Sequence, residues 1–311
     1  MIQVDGLRKE YQDFVAVADL TLDVPQGEIF GFLGPNGAGK TTTIRILTGL
    51  LPPTRGTGQV GGVDIRQRQA LKRVVGLMPE SQGYYGHLTP VEYLRYFGRL
   101  YEVAESELKG RVGALLATVG LAEAQHRPVG QFSRGMRQRL GLARTIIHNP
   151  RVIFLDEPSL GLDPQGQRDM QNLIQELNRS SGVTVFLSSH QLSEVSQLCQ
   201  RVAIVSRGRL RVVGDAAELA RQLVKQPTVT LQVSDPGRAE AVCQEAGLAV
   251  LDRPAGGLTV ALAAEQPALG DLFQRLAAAG IAIFGAVPRV MSLEEVFLEV
   301  VGPQAGKQVS A

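Results

Sequence analysis

Residues 34–41 read Gly-Pro-Asn-Gly-Ala-Gly-Lys-Thr, with glycines at 34, 37 and 39 ahead of a lysine and a threonine. Glycine adopts positive φ at little steric cost, so this spacing lets successive backbone N–H groups turn toward one point. The apolar residues 29–33 enter the loop as a short buried strand, and residues 42–47 leave it as the first turns of a helix. A helix start exposes unpaired N–H donors and the positive end of the helix dipole. Strand, glycine loop and helix together make a cradle for a phosphate chain, and the letters fit the pattern G-x-x-x-x-G-K-[ST]. Lys40 adds a point charge for the β- and γ-phosphates, so the segment predicts a nucleoside triphosphate as ligand.

A second apolar strand, residues 152–155, ends in Asp156-Glu157, which places two carboxylates beside a phosphate loop on a neighbouring strand of the same sheet. Their expected uses differ. Asp156 holds Mg²⁺ through its water shell with the Thr41 hydroxyl as another ligand, while Glu157 orients and deprotonates the attacking water. His190 closes the strand at residues 183–189, where a parallel strand end points its imidazole into the same crevice. Tyr11, upstream of the loop, offers a ring face to a nucleobase.

Along the chain, alternating apolar positions between Ile2 and Val24 predict a small β-layer before the loop. Between about 83 and 147 the period turns helical, with Tyr93, Tyr96, Phe97 and Leu100 on one stripe and Met136, Leu140, Ala143 and Ile147 on another. An α/β alternation then resumes: a helix carries Met170, Leu173, Ile174 and Leu177, and a hairpin over 202–213 turns at Arg207-Gly208. From 225 to 302 the pattern is strand, helix, two strands, helix, strand, helix, a small α+β domain. Its last helix starts with the capping pair Ser292 and Glu295 before the stripe Leu293, Val296, Phe297 and Val300. The tail 303–311 is expected to be disordered.

The bulk numbers exclude several classes. A formal net charge of +2, no Trp and 5% aromatics give no global attraction to nucleic acid and no base-stacking platform. Cys199 and Cys243 lie far apart without metal-ligand spacing, which suits a reducing compartment. No apolar run approaches the roughly 20 residues needed to cross a bilayer, so membrane association is expected through another protein.

The segment Phe132-Ser133-Arg134-Gly135-Met136-Arg137-Gln138-Arg139 joins residues 34–42, Asp156-Glu157-Pro158, Gly161-Leu162-Asp163 and Ser188-Ser189-His190 in one order. With these five motifs, residues 2–219 strongly resemble the nucleotide-binding subunit of an ABC transporter. The resemblance implies an α/β phosphate-loop ATPase core, domain 1–224, with an antiparallel β-subdomain and a helical subdomain at about 83–147. It implies ATP with Mg²⁺, held by Gly34, Asn36, Gly37, Ala38, Gly39, Lys40, Thr41 and Thr42, with Tyr11 on adenine and His190 on the γ-phosphate.

Two such subunits, alike or different, pair head to tail, so that Ser133 and Gly135 of one meet the nucleotide of the other and Asp163 communicates between them. Ser133 falls at a helix N-cap, which suits a γ-phosphate contact. Two positions depart from the family pattern. Arg134 and Met136 interrupt the signature, and Glu80 stands where a glutamine is usual, offering a carboxylate to Mg²⁺ or its water, with Gln82 two positions on. Both departures and the ending Ser-Leu-Glu-Glu-Val-Phe-Leu resemble the type-2 branch, which exports drugs, antibiotics, sodium, lipids or polysaccharides.

The expectation is a peripheral ATPase on the cytoplasmic face of the membrane that drives a separate integral permease, with no nucleic-acid partner. A soluble ABC ATPase of translation or DNA repair is the alternative, disfavoured by a single phosphate loop and no sustained heptads. A GTP switch lacks its guanine-reading motif. Arg134, Arg137, Arg139 and Arg144 read as a solvated helix face.

Overall fold

The computed structural model describes residues 1–215, 218–219, 228–262, 267–289, 297 and 301 of the 311-residue chain. Two compact units emerge, one of Met1–Ala216 with Phe297–Ala311 and one of Ala217–Val296.

The first unit opens with a long hairpin, β1 (Ile2–Tyr11) and β2 (Phe14–Val24), in which Ile2, Val4, Leu7, Leu20, Leu22 and Val24 turn inward at alternate positions. With β4 (Arg55–Val60) and β5 (Val63–Asp64) it forms a four-stranded antiparallel sheet in the order β2-β1-β4-β5. The second sheet carries the chemistry. Strands β3 (Ile29–Leu33), β6 (Val75–Met78), β7 (Val152–Asp156), β8 (Thr184–Ser189), β9 (Arg201–Ser206) and β10 (Arg209–Asp215) lie in the order β10-β9-β3-β8-β7-β6. Only β10 is antiparallel to its neighbour, so β3, β7 and β8 end on the same edge of the sheet. Every residue of β3, β7 and β8 is buried, as expected for parallel strands covered on both faces.

Phe186 on β8 is the hub of that layer. Its ring centroid lies 5.7 Å from Phe30, 5.1 Å from Phe32 and 5.3 Å from Phe154, all tilted contacts favoured by the aromatic quadrupole. The register Phe30↔Phe186 and Phe154↔Phe186 puts these rings side by side on adjacent strands.

Helix α1 (Lys40–Leu47) follows β3, and α2 (Arg68–Val74) leads into β6. The helical insertion consists of α3 (Pro90–Leu100), α4 (Glu105–Thr118) and α5 (Arg134–Thr145), around a core of its own that includes Tyr93, Leu94, Leu108, Val112, Leu116, Leu140 and Ile147. Thr89 starts α3 with a capping box closed by Glu92. The buried face of α3 is Pro90, Tyr93, Leu94 and Gly98, whereas Tyr96 and Leu100 of the predicted stripe face outward at 42% and 61% exposure. Leu108 explains the rotation. Its Cδ2 fills the space where a side chain at Gly98 would stand, so α3 leans on α4 along the glycine.

Helix α6 (Pro164–Ser181) buries Met170, Ile174 and Leu177, and α7 (Leu192–Leu198) follows β8. The β9–β10 hairpin turns at Arg207 and Gly208, both at positive φ, as its two-residue loop requires. Gly208 donates to Ala38 O at 3.1 Å and accepts from Ala18 N at 2.7 Å, which pins the phosphate loop from behind.

In the second unit, β11 (Thr228–Val233), β12 (Val250–Asp252), β13 (Gly257–Ala261) and β14 (Ile283–Arg289) form an antiparallel sheet in the order β12-β13-β11-β14. Its core combines Val229, Leu231, Leu258 and Val260 with Ala239 and Cys243 of α8 (Pro236–Glu245) and Leu272 and Leu276 of α9 (Pro267–Ala278). Of the predicted last helix, Phe297 is buried and is grouped with the first unit, while Ser292, Leu293, Glu295, Val296 and Val300, and the tail 303–311, lie outside the described residues.

Truncating the hub tests this packing. Phe186→Ala removes three ring contacts from a sealed layer and is expected to cost about 3–5 kcal/mol, read as a lower urea midpoint by circular dichroism; a loss below about 1 kcal/mol would show that the layer collapses around the gap.

Candidate nucleotide-binding site

The loop between β3 and α1 is held by its glycines. Gly39 sits at φ 100°, and a Cβ there would stand 2.3 Å from the Ala16 carbonyl oxygen. Gly34 is equally crowded, 2.5 Å from Val205 O, whereas Gly37, at φ 78°, has nothing within 4 Å and faces open space. Gly39 is also the N-cap of α1, with no side-chain cap and no acidic residue in the first turn, so the helix's first N–H groups remain available to an anion.

Lys40 is buried beneath this loop. Its Nζ donates to Gly34 O at 2.7 Å and lies 3.5 Å from Glu157 Oε1, itself buried. Thr41 Oγ1 donates to Asp156 Oδ2 at 3.0 Å, and Ser188 Oγ donates to Asp156 Oδ1. Glu157 stands at φ 51°, a conformation a non-glycine residue adopts only when its surroundings impose it. Those surroundings are its N–H, which donates to Ser188 O at 3.1 Å, and its carboxylate, which lies 2.8 Å from His190 Nδ1. The turn off β7 thus aims the carboxylate between an ammonium and an imidazole.

The strand order corrects one expectation. β7 is not the neighbour of β3; β8 lies between them, so the carboxylates and the loop flank the strand that delivers His190. Ser188 on that middle strand bridges the gap through its bonds to both Asp156 and Glu157.

A cleft of about 470 Å³ opens here, lined by Asn36, Gly37, Ala38, Gly39, Lys40, Thr41, Thr42, Glu80, Glu157 and His190, with Phe14 and Leu160 at its walls. Gln82 is turned away, with its Nε2 donating to Gln138 Oε1 at 2.8 Å and its Oε1 accepting from the Tyr84 hydroxyl at 2.8 Å. Glu80 therefore holds the cleft position. Tyr11 is not among the lining residues; it is 43% exposed with the Lys9 ammonium 5.1 Å from its ring centroid, and its hairpin partner Phe14 takes the wall. The signal for Phe14 was present in Gln12-Asp13, a two-residue turn that sets a second aromatic opposite the first.

The remaining predicted residues gather elsewhere. Ser133 caps α5 and accepts from Met136 N at 3.2 Å, and Asp163 caps α6 and accepts from Gly166 N at 2.9 Å. Ser133, Gly135, Gly161 and Asp163 line a separate hollow of about 500 Å³ that shares no residue with the first. The Arg134 guanidinium fills the space beside Gly161 that a side chain there would need. Two of the four arginines are not a solvated face: Arg139 pairs with Asp169 at 2.6 Å, and Arg144 donates to the Tyr93 hydroxyl at 3.0 Å and lies over Phe97.

Phosphate loop, buried lysine, strand-end carboxylates and parallel sheet define a phosphate-loop nucleoside triphosphatase. The family model described as "ABC transporter" matches residues 17–160. The chain is 36% identical over 304 residues to the daunorubicin resistance ATP-binding protein DrrA3 of Streptomyces coeruleorubidus, covering 97% of this chain and 96% of that one. It is 42% identical over 210 residues to an uncharacterized ABC transporter ATP-binding protein, sll0415, of a Synechocystis strain, covering 67% of this chain and 59% of that protein's length. Among solved structures, an ATP-binding subunit of an ABC transporter superposes with a TM-score of 0.64 at 29% identity, over 71% of this chain and 92% of that one. The chain belongs to the ABC transporter ATP-binding proteins and is an ATPase.

Gly39→Ala probes the loop directly. The added methyl meets Ala16 O and forces a positive φ on alanine, so ATP affinity measured by nucleotide titration is expected to fall at least about tenfold, the equivalent of about 1.4 kcal/mol, with the far-ultraviolet spectrum unchanged; unaltered affinity would mean the loop does not set the phosphate cradle.

Proposed function

We propose that this chain is the ATP-hydrolysing subunit of an exporter, peripheral on the cytoplasmic face of the membrane, which dimerises on ATP and drives a separate integral permease. The observation that carries the reading is the split of the site. One hollow holds the phosphate loop, Lys40, Glu157 and His190, and the other holds Ser133, Gly135 and Asp163, with no residue in common. Two half-sites on one chain are completed when a second subunit turns its Ser133 hollow onto the first subunit's phosphates.

In this reading the triphosphate lies along the N–H groups of residues 36–42, with Phe14 or Tyr11 on the hairpin available to the base. The donor set fits Mg²⁺. Thr41 and Asp156 already face each other as hydroxyl and carboxylate, Glu80 lines the same cleft, and hard oxygen ligands of this kind suit the ion. When bound, Mg²⁺ neutralises charge on the β- and γ-phosphate oxygens. Lys40 supplies the fixed positive charge on the protein side.

Glu157 takes the proton of the attacking water, since its carboxylate opens on the cleft and is held by two partners. His190, hydrogen-bonded to it at 2.8 Å, contacts the γ-phosphate and senses its loss. Hydrolysis removes the phosphate that bridges the two subunits, and the dimer opens.

Among the described residues no helix is long and apolar enough to cross a membrane, so in this reading the transport path lies in the partner. A hollow of about 370 Å³ lined by Leu50, Leu77, Phe97, Leu100, Tyr101 and Arg144 seats a cytoplasmic segment of that permease. Leu50 and Leu100, which line it, support this role, at 56% and 61% exposure. The second unit serves dimer or permease contacts, because every residue lining the two nucleotide hollows belongs to the first unit.

Glu157→Gln tests the assignment. The amide keeps the shape but accepts a proton poorly, so turnover is expected to fall about 10²–10⁴-fold while ATP binding survives and an ATP-bound dimer accumulates in sedimentation. Near-normal hydrolysis would move the base elsewhere.

A further inference from the structure

Glu194, on α7, is 3% exposed, yet it lines neither nucleotide hollow. Burial pushes its carboxyl up from the ordinary range, and the hydroxyls of Ser159 and Ser189 pull it partly back. Ser189 Oγ donates to Glu194 Oε2 at 2.7 Å. Glu194 Oε1 and the hydroxyl of Ser159, the latter 1% exposed, are both sealed from solvent without a well-formed hydrogen bond. A buried carboxyl with one unsatisfied oxygen destabilises the fold relative to an apolar side chain of the same size, so packing alone gives no reason for it.

The position of its two partners supplies one. Ser189 immediately precedes His190, and Ser159 lies two residues after Glu157. The carboxyl is therefore hydrogen-bonded to the segment that carries the imidazole, through Ser189, and acts electrostatically with Ser159 on the segment that carries the carboxylate of the hydrolytic pair. Beyond Ser159 the chain tightens, with Leu160 N donating to Glu157 O at 3.2 Å and Leu162 N to Ser159 O at 3.2 Å, and it ends at Asp163 in the second hollow.

We propose that Glu194 is a positioning residue for ATP hydrolysis: through Ser189 and Ser159 it fixes the His190 imidazole against the Glu157 carboxylate and joins that setting to the segment leading to Asp163. This rests on the assignment of Glu157 and His190 above. Because Glu194 does not touch the nucleotide cleft, it governs the chemical step and not ATP binding. A displacement of about 1 Å in such a pair costs on the order of a hundredfold in rate.

The test is steady-state ATPase kinetics on the full chain with Glu194→Ala, Glu194→Gln, Ser159→Ala and His190→Ala. Glu194→Ala is expected to lower kcat roughly ten- to a hundredfold with KM for ATP within about twofold of the parent. Glu194→Gln, which keeps the shape and an acceptor for Ser189, stays within about threefold. Ser159→Ala lowers kcat in the parent but adds nothing to Glu194→Ala, as expected for residues acting as one unit. Ring-labelled histidine spectra give a readout independent of turnover. Of the four histidines, only His190 shifts when Glu194 is lost.

A kcat for Glu194→Ala within twofold of the parent, a KM that rises in step with the loss, or movement of all four histidine signals would overturn the proposal. Should His190→Ala itself hydrolyse ATP normally, the underlying site assignment fails. Should His190→Ala lose turnover while Glu194→Ala keeps it, only the positioning role fails.

Discussion

The Lys40 ammonium, buried behind the phosphate loop and bonded to Gly34 O at 2.7 Å, is the charge around which the site is arranged. A buried ammonium is costly unless paired, and its partner Glu157, at 3.5 Å, is buried as well. Neither is satisfied by the other alone. The Lys40 ammonium carries three donors, of which one is bonded to Gly34 O, and Glu157 turns its second oxygen to His190.

Holding that pair requires the six-stranded sheet in its observed order. β3 delivers the loop, β7 the carboxylates and β8 the imidazole, and with β8 between the other two, Ser188 can bond both Asp156 and Glu157 from the middle strand. The Phe30, Phe32, Phe154 and Phe186 rings fill the layer beneath and keep these strand ends at fixed separation. The Arg207-Gly208 turn braces the loop from the other side. The second hollow follows from the same construction, since the turn after Glu157 runs through Ser159 to Asp163, which then caps α6.

Much of this was legible in the order of residues, because the constraints are local. Residues 34–41 need positive φ at Gly37 and Gly39, which glycine adopts at least cost, so the letters announce the loop. The buried parallel strands show as continuous apolar runs, and the Arg207-Gly208 hairpin shows in its turn chemistry. What was hidden depends on which strand lies beside which. Placing β7 next to β3 was wrong because a run such as Val-Ile-Phe-Leu does not encode its neighbour. Tyr11 was expected beside the base; Phe14, its partner across the hairpin, was not foreseen in the cleft wall because its place depends on the register. The stripe on α3 rotated because Gly98 admits Leu108, a tertiary contact invisible to a helical period. Arg139 and Arg144 were assigned to a solvated face for the same reason, their partners Asp169 and Tyr93 being 30 and 51 residues away.

If each ATP is enclosed by two subunits, chains defective in different halves of the site complement one another when mixed. A Ser133→Arg chain is damaged only in the hollow it offers its partner, and a Lys40→Ala chain only in its own phosphate cleft. In a mixed dimer both lesions fall on one composite site and the other is intact. The account predicts ATPase activity in the mixture well above either mutant alone, with mixed dimers verified by differential tags. Mixed dimers that form and show no recovery would contradict an independent site shared between subunits.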